Sequence, residues 1–175
     1  MDKQIVKLAL SFGGWVYGGY VRDVLICKSD HFNDIDIAIP ETEDVDLLIR
    51  ALGARVHKDS EFNNTYETNS VVRLVKLSVD SIRIDLVIVK SFKEWLQDET
   101  CDLSCNIFFK SSTCMLGIRY IPYEFRYSSD AAQDIMELTE QKRFVVIQEE
   151  ETPKLERRIE DRVLHGWSLD SNNFR

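Results

Sequence analysis

Gly18-Gly19, Arg22, Asp34 and Asp36 follow one another in a short span of this chain, and they are residue types that handle a polyphosphate and a metal. Paired glycines ahead of a helix let backbone N–H groups approach phosphate with no side chain in the way, and the helix N-terminus adds a favourable dipole. Arg22, one turn further on, brings a forked donor to the same phosphates. Asp34 and Asp36 alternate with Ile35 and Ile37, so on a strand they share a face with Cα atoms about 6.6–6.8 Å apart. Magnesium prefers oxygen ligands, and two such ions ~3.5–4 Å apart neutralise a leaving pyrophosphate while making a hydroxyl nucleophilic. Alone, a Gly-Gly pair marks a turn and an Asp-x-Asp pair a solvated strand face. Their joint order and spacing point to nucleotidyl transfer.

A third carboxylate is expected from Asp85, which alternates with Ile84 and Leu86 in Arg83-Ile84-Asp85-Leu86-Val87-Ile88. If its strand lies beside the one bearing Asp34, three acids converge and their mutual repulsion favours a cation. Asp85 is then the candidate that helps deprotonate the attacking hydroxyl.

The elements that must position these groups are legible to different degrees. Ile5, Leu8, Ala9 and Phe12 are spaced for one face of an opening helix that Gly13-Gly14 ends. A short strand, Trp15 to Tyr17, runs into Gly18-Gly19, and a helix is expected from Tyr20 to Cys27. Asp34 to Ile39 reads as a half-buried strand ending at Pro40. Val45, Leu48, Ile49 and Leu52 suggest an amphipathic helix stopping near Gly53. Val71 to Val79 and Ile82 to Val89 read as a hairpin turning at Asp80-Ser81, and Ser91 as the cap of a short helix with Trp95 and Leu96. Further on, Ile107-Phe108-Phe109 and Met115 to Ile118 are expected as strands, Asp130 to Leu138 and Pro153 to Leu164 as helices, with Gly166 as a stop. This order predicts an α+β fold, a mixed twisted sheet with helices packed mainly on one face.

The chain has 175 residues, with 22 Lys and Arg against 30 Asp and Glu for a formal charge of −8. That length suits a single domain over 1–175, with 128–175 a small helical appendage. The negative charge excludes a broad nucleic-acid-binding surface and leaves room for a local basic patch. No segment approaches the ~20 apolar residues of a membrane span, and Met1 to Lys7 carries no secretory pattern, so an intracellular, cytoplasmic protein with no membrane partner is expected. Cys27, Cys101, Cys105 and Cys114 form no Cys-x-x-Cys pair, and His31, His57 and His165 are far apart, which favours reduced thiols over zinc ligands.

Gly18-Gly19-Tyr20-Val21-Arg22-Asp23-Val24-Leu25 with Asp34-Ile35-Asp36 resembles the head domain of poly(A) polymerases and class II CCA-adding tRNA nucleotidyltransferases, in the DNA polymerase β superfamily. Cys101-Asp102-Leu103-Ser104-Cys105-Asn106-Ile107 is similar to that family's Arg-Asp-Phe-Thr-Ile-Asn-Ala segment. The likeness covers roughly Trp15 to Phe109. It implies a nucleotidyltransferase fold in which Gly18, Gly19 and Arg22 bind the nucleotide triphosphate, Asp34 and Asp36 bind magnesium, and Asp102 and Asn106 shape the sugar pocket. The alternative for the last two is a capped turn.

Three departures qualify the likeness. Cys101 stands where the family has arginine, no Glu-Asp-x-x-Arg template for choosing C or A is found, and only some 65 residues follow Phe109. Leu155 to Trp167 reads either as a neck-helix remnant turning Arg158 or Arg162 to the nucleotide, or as a solvated charged helix, the reading favoured here. His165 and Trp167 read as capping or packing groups.

The expected function is a magnesium-dependent, template-independent transfer of NMP from an NTP to a hydroxyl. The acceptor is an RNA 3′ end, gripped with the help of another chain, or a protein or small-molecule hydroxyl. The competing readings are a catalytically inactive nucleotide-binding or regulatory module and a transferase that modifies a partner protein.

Overall fold

The computed structural model describes residues 1–62, 70–98, 101–122, 125–147 and 151–170. Helix α1 (Asp2–Ser11) buries Ile5, Val6 and Ala9. The chain then turns through Gly13, φ +80°, into β1 (Trp15–Tyr17). A π-helical turn (Val21–Ile26) follows, closed by the Cys27 N–H donating to the Arg22 carbonyl at 3.0 Å. The helix expected from Tyr20 to Cys27 is therefore present, α-helical over 19–20 and widened to π from Val21. So short a helical run leaves little macrodipole, and the phosphate argument rests mainly on the glycine turn and Arg22.

Strand β2 (Asp34–Pro40) precedes α2 (Val45–Leu52), whose Asp44 cap accepts from the Leu47 N–H at 2.9 Å and whose end is Gly53 at φ +62°. Next come β3 (Arg55–Glu61), β4 (Val71–Val79) and β5 (Ile82–Val89). Asp80 sits in the β4–β5 turn at φ +52°, a conformation Asp tolerates better than most residues. Helix α3 (Phe92–Asp98) starts with the Glu94 N–H donating to Ser91 Oγ, the expected cap. A 3₁₀ turn (Ser104–Asn106), β6 (Phe108–Lys110), β7 (Gly117–Ile118), α4 (Ala131–Glu140), β8 (Arg143–Phe144), α5 (Pro153–Leu164) and β9 (Ser168–Leu169) complete the described chain.

Among the described residues the main sheet runs β3-β4-β5-β2-β1-β6-β7, and β8 and β9 form a separate parallel ribbon. Strands β2 and β5 pair in parallel, pairing Asp34 with Arg83 and Asp36 with Asp85. The other pairs in the main sheet are antiparallel.

The two faces of this sheet differ. On one, Ile35, Ile37 and Ile39 join Ile84, Leu86, Val75 and Leu77 beneath α1 and α2 in the principal core, which also takes in Ile135 and Leu138 of α4. On the other, α3 covers one end. There Trp15 lies between Phe92 and Phe109 at centroid distances of 4.0 and 4.1 Å, and Trp95 is fully buried. The remainder of that face is polar and carries Asp34, Asp36 and Asp85. A third cluster of Leu103, Cys105, Phe144, Leu155 and Trp167 seats α5 and the ribbon against the 3₁₀ turn.

Strand β3 and the β8–β9 ribbon were not expected from sequence. All of β3 except Ser60 is exposed, so it lacks the alternation that marks a half-buried strand; backbone pairing along the open edge of β4 defines it instead. Among the described residues, no helix is long and apolar enough to cross a membrane. The expected appendage over 128–175 extends into 148–150 and 171–175, which lie outside the described residues.

Candidate active site

A cleft of about 610 Å³ opens where β1 and β2 meet the 3₁₀ turn and α5. Its walls include Gly18, Gly19, Arg22, Asp34, Asp36, Asp102 and Asn106, all anticipated from sequence. The alternation of β2 determines the carboxylates: with Ile35 and Ile37 fixed in the core, Asp34 and Asp36 must face away from it.

Gly18 adopts φ +71°, and a Cβ built on it would fall 2.4 Å from Asp36 Oδ2. The backbone of the turn and the carboxylate therefore touch, and no larger residue fits between them. Arg22 is 7% exposed. Its Nε and one terminal nitrogen donate to the two Asp23 oxygens at 2.7 Å each, and the other donates to Asn106 Oδ1 at 2.6 Å. The guanidinium also lies 5.6 Å from the centroid of the Trp167 ring. Burial by itself would lower the Arg22 pKa, but the hydrogen bonds to Asp23 reverse this and raise it above its usual value, so the group stays a cation.

Asn106 donates in turn to Asp102 at 3.4 Å, and Asp102 accepts from Arg158 of α5. An uninterrupted polar chain thus links Asp23, Arg22, Asn106, Asp102 and Arg158. Asn106 ends the 3₁₀ turn, Asp102 precedes it, and both line the cleft. Cys101 also lines the cleft. Arg119 reaches the same wall, donating to the Asn106 carbonyl at 3.0 Å with its guanidinium over Tyr17 at 4.7 Å and Trp95 at 5.0 Å.

Helix α5 differs from the favoured expectation of a solvated helix. Lys154, Arg158, Asp161 and Arg162, spaced at helical intervals, line the cleft. Leu155 holds the helix down at 3% exposure, and Thr152 caps it by accepting from the Leu155 N–H. The hydrogen bond from Arg162 holds Asp161 below the usual carboxylate range. His165 caps the end of α5, and Trp167 packs on Phe144, as expected.

Asp85 is placed differently. It pairs with Asp36 in register, but its carboxylate takes an ion pair from Lys76 of β4 at 3.1 Å, and it is not part of the cleft wall. Among the described residues, no three His, Cys, Asp or Glu side chains are grouped to hold a metal ion. Asp34 and Asp36, two half-buried carboxylates on one wall of the cleft, are the oxygen donors that would suit a hard divalent cation.

Sequence reasoning missed Arg119, Lys154 and Asp161. Arg119 belongs to no motif, and the α5 residues announce themselves only once that helix is seen to lean over the cleft.

No family model matches this sequence, and neither does any curated protein. Among solved structures, the chain is similar to a tRNA-processing enzyme in apo form, with a TM-score of 0.52 and 17% identity over 99% of this chain and 45% of that one. It is also similar to a CCA-adding enzyme in complex with CTP and to a CCA-adding enzyme in apo form. Each has a TM-score of 0.55 and 14% identity, covering 98% of this chain and 41% of that one. The chain therefore spans less than half the length of the structures it matches. At these identities the likeness establishes the fold, and that fold is the α+β nucleotidyltransferase arrangement of CCA-adding enzyme structures.

Proposed function

We propose that this chain is a magnesium-dependent, template-independent nucleotidyltransferase that moves NMP from an NTP to a hydroxyl acceptor. The observation carrying this reading is the convergence of Asp34 and Asp36 with the Gly18-Gly19 turn and Arg22 in one cleft. In the transfer, the acceptor oxygen bonds to the α-phosphorus, the bond from that phosphorus to the bridging oxygen breaks, and pyrophosphate leaves. The hydroxyl proton passes to water or to a carboxylate of the cleft.

The side chains divide the work. Gly18 and Gly19 admit the triphosphate against backbone N–H groups, and Arg22, fixed by Asp23 and Asn106, meets it without further ordering. Arg119 supplies a guanidinium on the wall where Cys101 offers none. Arg158 and Arg162 close the cleft from α5. Asp34 and Asp36 are the residues that would hold magnesium, which when bound neutralises charge on the phosphates and activates the hydroxyl. The likeness to a CCA-adding enzyme in complex with CTP supports a nucleotide in this cleft, and a cytoplasmic setting suits such a substrate.

Incubation with labelled NTPs, Mg²⁺ and RNAs tests the reading. Transfer is expected in the parent chain and not in Asp34→Ala or Asp36→Ala, and activity unchanged in those variants removes the mechanism. The Lys76–Asp85 pair favours a second reading, a nucleotide-binding module without turnover. Calorimetric NTP binding with no transfer to any acceptor would select it.

A further inference from the structure

The sheet order places β2 between two differently built regions. The nucleotide cleft lies on its β1 side. On its other side, across β5, β4 and β3, the same polar face carries a strip of cations. Strand register puts Arg83 beside Asp34 and opposite Ser78, Lys76 opposite Lys58, and Ser78 opposite Arg55, so Arg83, Lys76, Lys58 and Arg55 project from one face. All four are exposed. His57, at the β3 bulge, joins them through a 2.7 Å hydrogen bond to Ser78. Asp85 is the acid within the strip and is matched by Lys76; Asp80 sits at the hairpin tip. Asp59, the acid of β3 that follows Lys58, pairs with Arg73 and Val75 on the opposite face.

A chain of net charge −8 that gathers Arg83, Lys58 and Arg55 on three adjacent strands, beyond the Lys76–Asp85 pair and beside its carboxylate pair, is built to meet a polyanion there. We propose that this strip binds the phosphate backbone of a single-stranded nucleic acid, leading its 3′-hydroxyl to Asp34 and Asp36 from the side opposite the nucleotide. The role of that strand as acceptor rests on the transfer reading above; the binding surface does not. Strand spacing of about 4.8 Å makes the strip ~10 Å wide, enough for a backbone to cross it without entering the cleft. Among the described residues β3 is the edge strand on this side of the sheet.

The test uses the full chain with a fluorescein-labelled single-stranded RNA in chelator, read by fluorescence anisotropy. For single strands the salt slope is about −0.7 per phosphate contact, so the three cations outside the Lys76–Asp85 pair predict a slope near −2 between roughly 50 and 200 mM salt. Arg55→Gln with Lys58→Gln is expected to weaken binding about tenfold at low salt and to flatten the slope by about 1.4. Lys58→Gln alone should flatten it by about half as much, which guards against misfolding of the double variant. Calorimetric NTP affinity should not change in either.

Wild-type RNA affinity and slope in the double variant would overturn the strip while leaving NTP binding and transfer intact. Absence of NTP binding in the parent chain would remove the transfer reading and leave the strip standing. An oligoglutamate peptide of equal charge that binds as tightly as the RNA would reassign the surface to an acidic protein and overturn the nucleic-acid proposal.

Discussion

The two sides of β2 differ: one is built into the core, and the other lines the candidate site. Ile35, Ile37 and Ile39 are fully buried among the aliphatic side chains of neighbouring strands and helices, whereas Asp34 and Asp36 are half-buried at the wall of a cleft. One strand thus uses its period of two to anchor itself in the core and to aim two carboxylates with the rigidity of that anchor. The aspartates cost the fold little because solvent still reaches them. In the proposed transfer the isoleucines would contribute only direction.

The sharpest way to break this comparison is Asp36→Ala. Transfer should fall at least ~10³-fold, equivalent to about 4 kcal/mol of barrier, while the denaturation midpoint hardly moves; a large loss of stability would show that the polar side also holds the fold. Ile37→Ala on the same strand should do the reverse. It is expected to cost about 2–5 kcal/mol in urea denaturation and to leave the transfer rate per folded molecule near that of the parent.

Gly18→Ala probes the contact between the turn and the carboxylate. The added Cβ would meet Asp36 Oδ2 at 2.4 Å in a left-handed backbone, so NTP affinity by calorimetry should drop by roughly 10²-fold or the turn should rearrange, at a cost of about 1–3 kcal/mol. Arg22→Lys, which keeps the charge but loses the fork to Asp23 and Asn106, should weaken NTP binding about tenfold.

The smallest effect is expected on the alkaline side. Burial pushes the Cys105 thiol from 9.0 up to about 12. A raised pKa means that this thiol's contribution to stability is complete below pH 9 and is lost as pH rises from 9 towards 12, by at most ~1.4 kcal/mol per pH unit. Cys105→Ala should show a shallower decline of the urea midpoint over that range. Equal slopes would place the alkaline sensitivity elsewhere.

How much was legible follows from how much of each element's burial is local. The β2 alternation, the β4–β5 hairpin with its Asp80 turn, α2 with its Asp44 cap and Gly53 stop, and α5 with Pro153 at its start all carry periodicity or capping residues in their own sequence. Strand β3 carries none, because an exposed edge strand is defined by its neighbour's backbone. Arg119 and Lys154 could not be found because nothing near them in sequence marks the cleft. The alternation around Asp85 puts it on the polar face of its strand, but its register with Asp36 and its partner Lys76 are set by cross-strand pairing that no single strand reveals.

By itself the sequence determined which side chains of β2 face the core and which face away, where the glycine turn falls, and that a carboxylate pair and an arginine belong to one constellation, since these follow from periodicities of two residues and from φ restrictions within a few bonds. The tertiary structure alone decided that α5 closes the cleft, that Asp102 and Asn106 connect Arg22 to Arg158, and that cations from three strands line up beside the carboxylates. Those facts depend on strand order and helix docking, which are set by the sum of many distant apolar contacts.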